Sequence, residues 1–182
     1  LFGGLNTYAA ATGSSEAARA AADIRAFVLT HGVQDERLRK FTDLDSGVDA
    51  ALLGATMPYG LLRVDDPIAR ATVAKIEHDL KGGGVHRYAT DTYYGGGEWI
   101  LLTAWLGWHY AAAGQPDQAA ACLAWIERQA GPNLDLAEQV HVNLIAPEKL
   151  PEWQARWGPV ATPLLWSHAK YLILWKALQG NR

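Results

Sequence analysis

Residues 98–131 read EWILLTAWLGWHYAAAGQPDQAAACLAWIERQAG. Two different helices are written there. From Glu98 to Ala113 the residues are apolar almost all round, which predicts a helix buried on every side. Gly114 ends it. Pro116 then opens a helix in which Ala119, Leu123, Ile126 and Ala130 recur at 4-3-4 spacing, so only one face is apolar. Gly131-Pro132 closes that one. A fully buried helix followed at once by a one-faced helix is the pattern of an inner and an outer layer. An αα-hairpin toroid produces it, and so does a stacked solenoid. The phrase AAAGQPDQAAACLAWIERQAG has a tetratricopeptide-like flavour, but no strict repeat at a fixed period accompanies it.

The flanking sequence continues the helical reading. Ser14 or Ser15 caps a helix with the stripe Ala17, Ala21, Ile24, Phe27 and Val28, ended by Gly32. Asp65 and Asp66 precede Pro67, and Ala69, Val73, Ile76 and Leu80 form the next stripe, stopped by Gly82–Gly84. Asp45–Leu53 reads as a shorter helix, and the last helix runs from about Pro163 to Leu178. Leu134–Trp157 reads as one long irregular, polar loop. Alternating apolar and polar runs are nearly absent. The expectation is an all-α chain of six or seven helices with little sheet.

Composition narrows the function classes. A chain of 182 residues can bury a real core. A net charge of −3 with no Lys/Arg run offers no field for nucleic acid. One cysteine, Cys122, excludes an internal disulfide framework, and the six histidines show no HExxH or comparable ligand spacing, so no metal or other cofactor is expected. The most apolar segment is shorter than a membrane span and carries His109, so no membrane partner is expected either. The opening LFGGLNTYAAATG is no signal peptide and has no initiator Met. It reads as the interior of a longer polypeptide, and the lack of cysteines and of a visible signal points to a cytoplasmic protein.

All eight tryptophans lie between Trp99 and Trp175. Core packing accounts for most of them, and flat platforms for sugar rings would account for others. The stretch VHRYATDTYYGGGEW, Val85 to Trp99, joins an arginine, an aspartate and several rings on a loop rich in glycine. Arg87 can donate two parallel bonds to vicinal hydroxyls while Asp91 fixes its fork, or the two can form a structural ion pair. Gly95–Gly97 either permit close backbone approach or begin the next helix. Trp99 and Trp166 can wall a pocket or fill a core. Glu98 reads as an acid at a helix N-terminus, and His168 as a hydrogen-bonded core histidine. Glu138, in LDLAEQV, is either a base acting on water or a loop glutamate paired with an arginine.

Together these blocks resemble the glucoamylase-type enzymes, glycoside hydrolase family 15. DSGVDAALLGATMPYG, HRYATDTYYGGGEW, AEQV and PLLWSHAKYL match family segments in family order, from about Leu1 to Leu178. The RY-x-x-DTYY block and the AEQ block together carry the resemblance. It implies an (α/α)6 barrel, with residues 1–182 as about half of it: the C-terminal part of a single catalytic domain whose N-terminal half lies outside this chain. Half a toroid leaves inner faces open, at roughly 25 cal/mol per Å2 of apolar area, so the N-terminal half is an expected partner.

The resemblance further implies hydrolysis of α-glucosidic bonds from the non-reducing end with inversion, releasing β-glucose. Two carboxyl groups about 6.5–9.5 Å apart do this, one protonating the leaving oxygen and one activating water. Glu138 would be the base and the general acid would lie outside this chain. Arg87 would bind hydroxyls of the terminal glucose, Asp91 would orient Arg87, Tyr93 would line the site, and Trp99 and Trp166 would form its apolar walls. Malto- and isomalto-oligosaccharides, linked α-1,4 or α-1,6, and trehalose all remain open as substrates. The alternatives are a non-catalytic carbohydrate-binding half-toroid and a helical interaction module.

Overall fold

Side-chain capping by Ser14 and by Asp66 starts two of the helices where the sequence places them. The computed structural model describes residues 1–42 and 47–180. Helices α1 (Phe2–Thr12) and α2 (Ser15–His31) turn about Gly13, and Ser14 Oγ accepts from Ala17 N at 3.2 Å to open α2. The α2 stripe is buried at Ala17 and Ala21 and half-buried at Ile24 and Val28. Phe27 departs from it: the ring is 55% exposed and packs on His31 at 4.7 Å, because position 27 sits at the rim of the stripe. A small antiparallel pair, β1 (Val33–Gln34) and β2 (Arg37–Leu38), follows.

The short helix expected at Asp45–Leu53 is a 3-10 turn at Ala50–Ala55, capped by Asp49, whose carboxylate accepts from Ala51 N at 2.9 Å. Asp45 and Ser46 lie outside the described residues. Asp66 caps α3 (Pro67–Leu80) by accepting from Ile68 N at 2.8 Å, and Ala69, Val73, Ile76 and Leu80 are buried as their spacing predicts.

The centre of the fold is α4 (Ile100–Ala112), flanked by α5 (Pro116–Gln129) and α7 (Leu165–Gly180). Nearly every residue of α4 is buried. The three helices approach closely at Gly107, where an added Cβ would meet Leu174 Cδ2 at 2.7 Å and Cys122 Cβ at 2.9 Å. Leu53, Ile76, Leu106, Ile126 and Leu174 share this core. The outward face of α7 is apolar and open: Leu165 is 83% exposed and Leu172 59%. Among the described residues no helix is long and apolar enough to cross a membrane.

Two expectations are corrected. Glu98 is not at a helix N-terminus. Trp99 occupies the N-cap of α4, and Glu98 lies in β3 (Glu98–Trp99), paired antiparallel with β4 (Gln139–Val140). The segment Leu134–Trp157 is not wholly irregular either. It contains β4 and α6 (Leu150–Trp157), a short helix with Pro151 in its first turn. Two residues are too few to show an alternating pattern. The α6 helix is only eight residues long and stands among Pro147, Pro151 and Pro159, so it reads as loop although Leu150, Trp153 and Trp157 recur at helical spacing.

Candidate active site

The site is assembled where the segment leading into α4 meets the segment around Glu138. Val85 is the hinge of the first. Its N–H donates to Thr103 Oγ1 at 3.0 Å and its carbonyl accepts from Trp99 N at 2.8 Å, tying the loop to the start of α4. Two residues on, Arg87 bends back on Asp91: Nε donates to one carboxylate oxygen at 3.0 Å and Nη2 to the other at 2.7 Å. Asp91 is fully buried and also accepts from Tyr93 N at 3.0 Å, so one carboxylate fixes both the guanidinium and the next turn. Burial works against the Arg87 charge, but the Asp91 bonds outweigh it and hold the guanidinium above its ordinary pKa.

Three rings surround that cation. The Arg87 guanidinium lies 4.9 Å from the Tyr88 ring, 5.2 Å from Tyr93 and 5.0 Å from Trp99. Tyr93 stacks on Trp99 at 5.9 Å, and Trp153 of α6 meets Tyr93 edge-on at 4.9 Å. That contact is the use of the helix the sequence hides. The Tyr93 hydroxyl donates to Glu138 Oε2 at 3.1 Å. Burial, followed by the charge and hydrogen bond of Glu138, pushes the Tyr93 phenol up to about 12.

The glycines serve close approach. A Cβ on Gly96 would sit 2.2 Å from Asp91 O, and one on Gly97 2.1 Å from Val140 O. Gln139, a residue the sequence reading did not single out, is buried and bridges the same layer. Its Oε1 accepts from Gly97 N at 2.8 Å and its Nε2 donates to Tyr93 O at 3.1 Å. The β3–β4 register, with Trp99 opposite Gln139, sets Glu138 next to this ladder. Glu98 turns the other way: its Oε1 accepts from Gly83 N at 2.8 Å and Asn143 Nδ2 at 3.0 Å.

Arg87, Asp91, Tyr93, Trp99 and Glu138 therefore form one continuous cluster. Trp166 stands apart from those contacts, 53% exposed on the first turn of α7. Its neighbours do reach the Glu138 segment: Ser167 Oγ donates to Ala137 O at 2.7 Å, and His168 Nε2 accepts from Leu136 N at 3.1 Å.

A helical layer thus pins a carboxylate, an arginine fork and stacked rings at one end of a buried helix. The chain is homologous to glycoside hydrolases and shares the fold of a glucoamylase. It is 49% identical to the isomaltose glucohydrolase of Kribbella flavida over 162 residues, 88% of this chain and 42% of that protein. A solved glycosidase variant in complex with glucose superimposes with a TM-score of 0.94 at 46% identity, over 98% of this chain and 50% of that one. A bacterial glucoamylase complexed with acarbose shares the fold at a TM-score of 0.76 and 20% identity, over 98% of this chain and 32% of that one. No protein-family model matches the sequence. The chain spans less than half the length of the curated relatives it matches.

Proposed function

We propose that residues 1–182 are the C-terminal part of a single (α/α)6 catalytic domain, and that the complete protein is an inverting exo-α-glucosidase acting on malto- or isomalto-oligosaccharides. The likeness to an isomaltose glucohydrolase favours the α-1,6 linkage. The apolar, exposed outer face of α7 supports a second half-barrel packed against this one.

The observation that carries the reading is the Tyr93–Glu138 bond beside the Arg87–Asp91 fork. A base acting on water needs an ionised carboxylate held in one orientation with an oxygen free for the proton. Tyr93 occupies Oε2 and leaves Oε1 for water. Because the phenol is pushed up to about 12, it stays a donor throughout the neutral range. Asp91 engages Nε and Nη2 of Arg87, which leaves Nη1 to reach vicinal hydroxyls of the terminal glucose. Trp99, and Trp166 at the rim, supply apolar faces for the ring.

In the reaction, water oxygen bonds to the anomeric carbon as the glycosidic C–O bond breaks. Glu138 takes the proton from water. The leaving oxygen takes its proton from a general acid supplied by the other half of the barrel. The test is Glu138→Gln in the complete enzyme. Loss of turnover with glucose binding retained, followed by tryptophan fluorescence, is the expected result. Undiminished turnover would overturn the assignment.

A further inference from the structure

The carboxylate of Glu138 can be no better placed than the backbone that carries it. Leu136–Glu138 runs through the described structure without helical or extended ladder support on its α7 side. Four hydrogen bonds hold it there. Leu164 N donates to Leu136 O at 2.8 Å, and Glu138 N donates to Ala161 O at 2.9 Å. The other two come from side chains, and from adjacent positions on α7. Ser167 Oγ donates to Ala137 O at 2.7 Å, and His168 Nε2 accepts the Leu136 N–H at 3.1 Å. Ser167 is fully buried. A serine is a mediocre helix former, and here its hydroxyl is spent on a neighbouring segment rather than on its own helix.

We infer that Ser167 and His168 are positioning residues for Glu138, and that His168 holds the segment only as a neutral imidazole protonated on Nδ1. The inference rests on Glu138 being the base. The chemistry of the ring sets the second part. Nε2 can accept from an amide only while it carries no proton. A second proton turns it into a donor facing the Leu136 N–H, another donor, and the bond is lost. The ring is not sealed from water: it is half-buried and borders a cavity of about 300 Å3 that Glu127, Leu134, Leu136 and Tyr171 also line. The titratable groups of that cavity besides His168 are Glu127 on α5 and Tyr171 on α7, whose hydroxyl donates to Glu127 at 3.1 Å. Asp135 precedes Leu136 in the loop.

The experiment compares His168→Leu, His168→Gln and Glu138→Gln in the complete enzyme, by kcat and KM across pH with maltose and isomaltose. The expected result for His168→Leu is a kcat roughly tenfold lower, with KM within about twofold, because the loss falls on the transition state. His168→Gln, whose amide oxygen can accept but not titrate, is expected to rescue most of that loss. A wild-type kcat in His168→Leu would overturn the inference. Should His168→Leu fail to fold, a kcat in His168→Gln more than about tenfold below wild type overturns it equally, since the amide oxygen can accept the Leu136 N–H. Turnover by Glu138→Gln would instead remove the base assignment, so the two failures are read in different variants. Nitrogen NMR of the imidazole gives a readout independent of turnover: an unprotonated Nε2 at neutral pH is expected, and a proton on Nε2 would contradict the inference.

Discussion

Replacing Asp91 by alanine removes three hydrogen bonds from one fully buried carboxylate. Two of them hold Arg87, which stays behind as a cation. Deleting one partner of a buried ion pair costs about 3–5 kcal/mol. The Arg87 side chain is 31% exposed, so water takes up part of the charge and places the cost near the low end. The Tyr93 N–H loses its acceptor as well, which adds about 1 kcal/mol or more where water cannot reach it. The sum, about 3–4 kcal/mol, would move a urea midpoint down by about 1.5–2 M for an unfolding slope of about 2 kcal/mol/M. Asp91→Asn keeps an acceptor for Tyr93 N–H and loses the charge, so a smaller loss of about 2 kcal/mol is expected. Because Arg87 is left without its fork, kcat/KM should fall by about 100-fold in Asp91→Ala. Urea unfolding and steady-state kinetics on the same preparations check both numbers. An Asp91→Ala variant within about 1 kcal/mol of wild type would refute the reasoning that this carboxylate is what orders the loop.

Further outcomes follow from neighbouring contacts. Tyr93→Phe removes a donor to an ionised carboxylate and is expected to lower kcat by roughly 10–100-fold, corresponding to about 1.5–3 kcal/mol, with KM less affected. The same phenol is raised from 10.0 to about 12, so it stabilises the fold fully below pH 10 and loses that contribution as pH rises toward 12. Chemical unfolding of wild type and Tyr93→Phe should therefore converge across that interval. Lys170 behaves oppositely. Burial lowers its ammonium from 10.5 to about 8, under Trp105 at 3.6 Å and Trp108 at 5.0 Å. The unfolded chain then binds the extra proton between about pH 8 and 10.5, and this residue's contribution to stability rises with pH over that window. Lys170→Met should be the more stable protein at pH 7 and lose that advantage near pH 10.5, as measured by chemical unfolding. Gly97→Ala forces a Cβ to within 2.1 Å of Val140 O, and is expected to cost about 3 kcal/mol in unfolding experiments and to lower kcat by separating the β3–β4 pair.

How far the sequence reaches differs from element to element. The contrast between Glu98–Ala113 and Pro116–Ala130 identifies the buried α4 and the one-faced α5 correctly, because burial pattern and helical period are strong local signals. Arg87 and Asp91 are four residues apart, and their pairing is likewise legible. Glu138 next to Tyr93 is a contact 45 residues apart in sequence, and family resemblance rather than spacing brings the two together before the structure does. Glu98 defeats a local reading. A glutamate before an apolar helix looks like an N-terminal acid, yet β3–β4 pairing turns it toward Gly83 and Asn143. The α6 helix is missed for another reason: Leu150, Trp153 and Trp157 do recur at helical spacing, but eight residues among Pro147, Pro151 and Pro159 read as loop, and only the structure shows Trp153 packed on Tyr93 and Tyr94. Gln139 escapes notice because nothing in a glutamine's sequence context announces two backbone bonds to residues more than forty positions away.

The role proposed for Glu138 is to direct water onto the face of the sugar opposite the leaving group. Proton NMR of the glucose first released from isomaltose by the complete enzyme, followed before mutarotation, checks that role. β-Glucose is the expected initial anomer. Initial α-glucose would mean retention through a covalent intermediate, and would contradict the role given to Glu138.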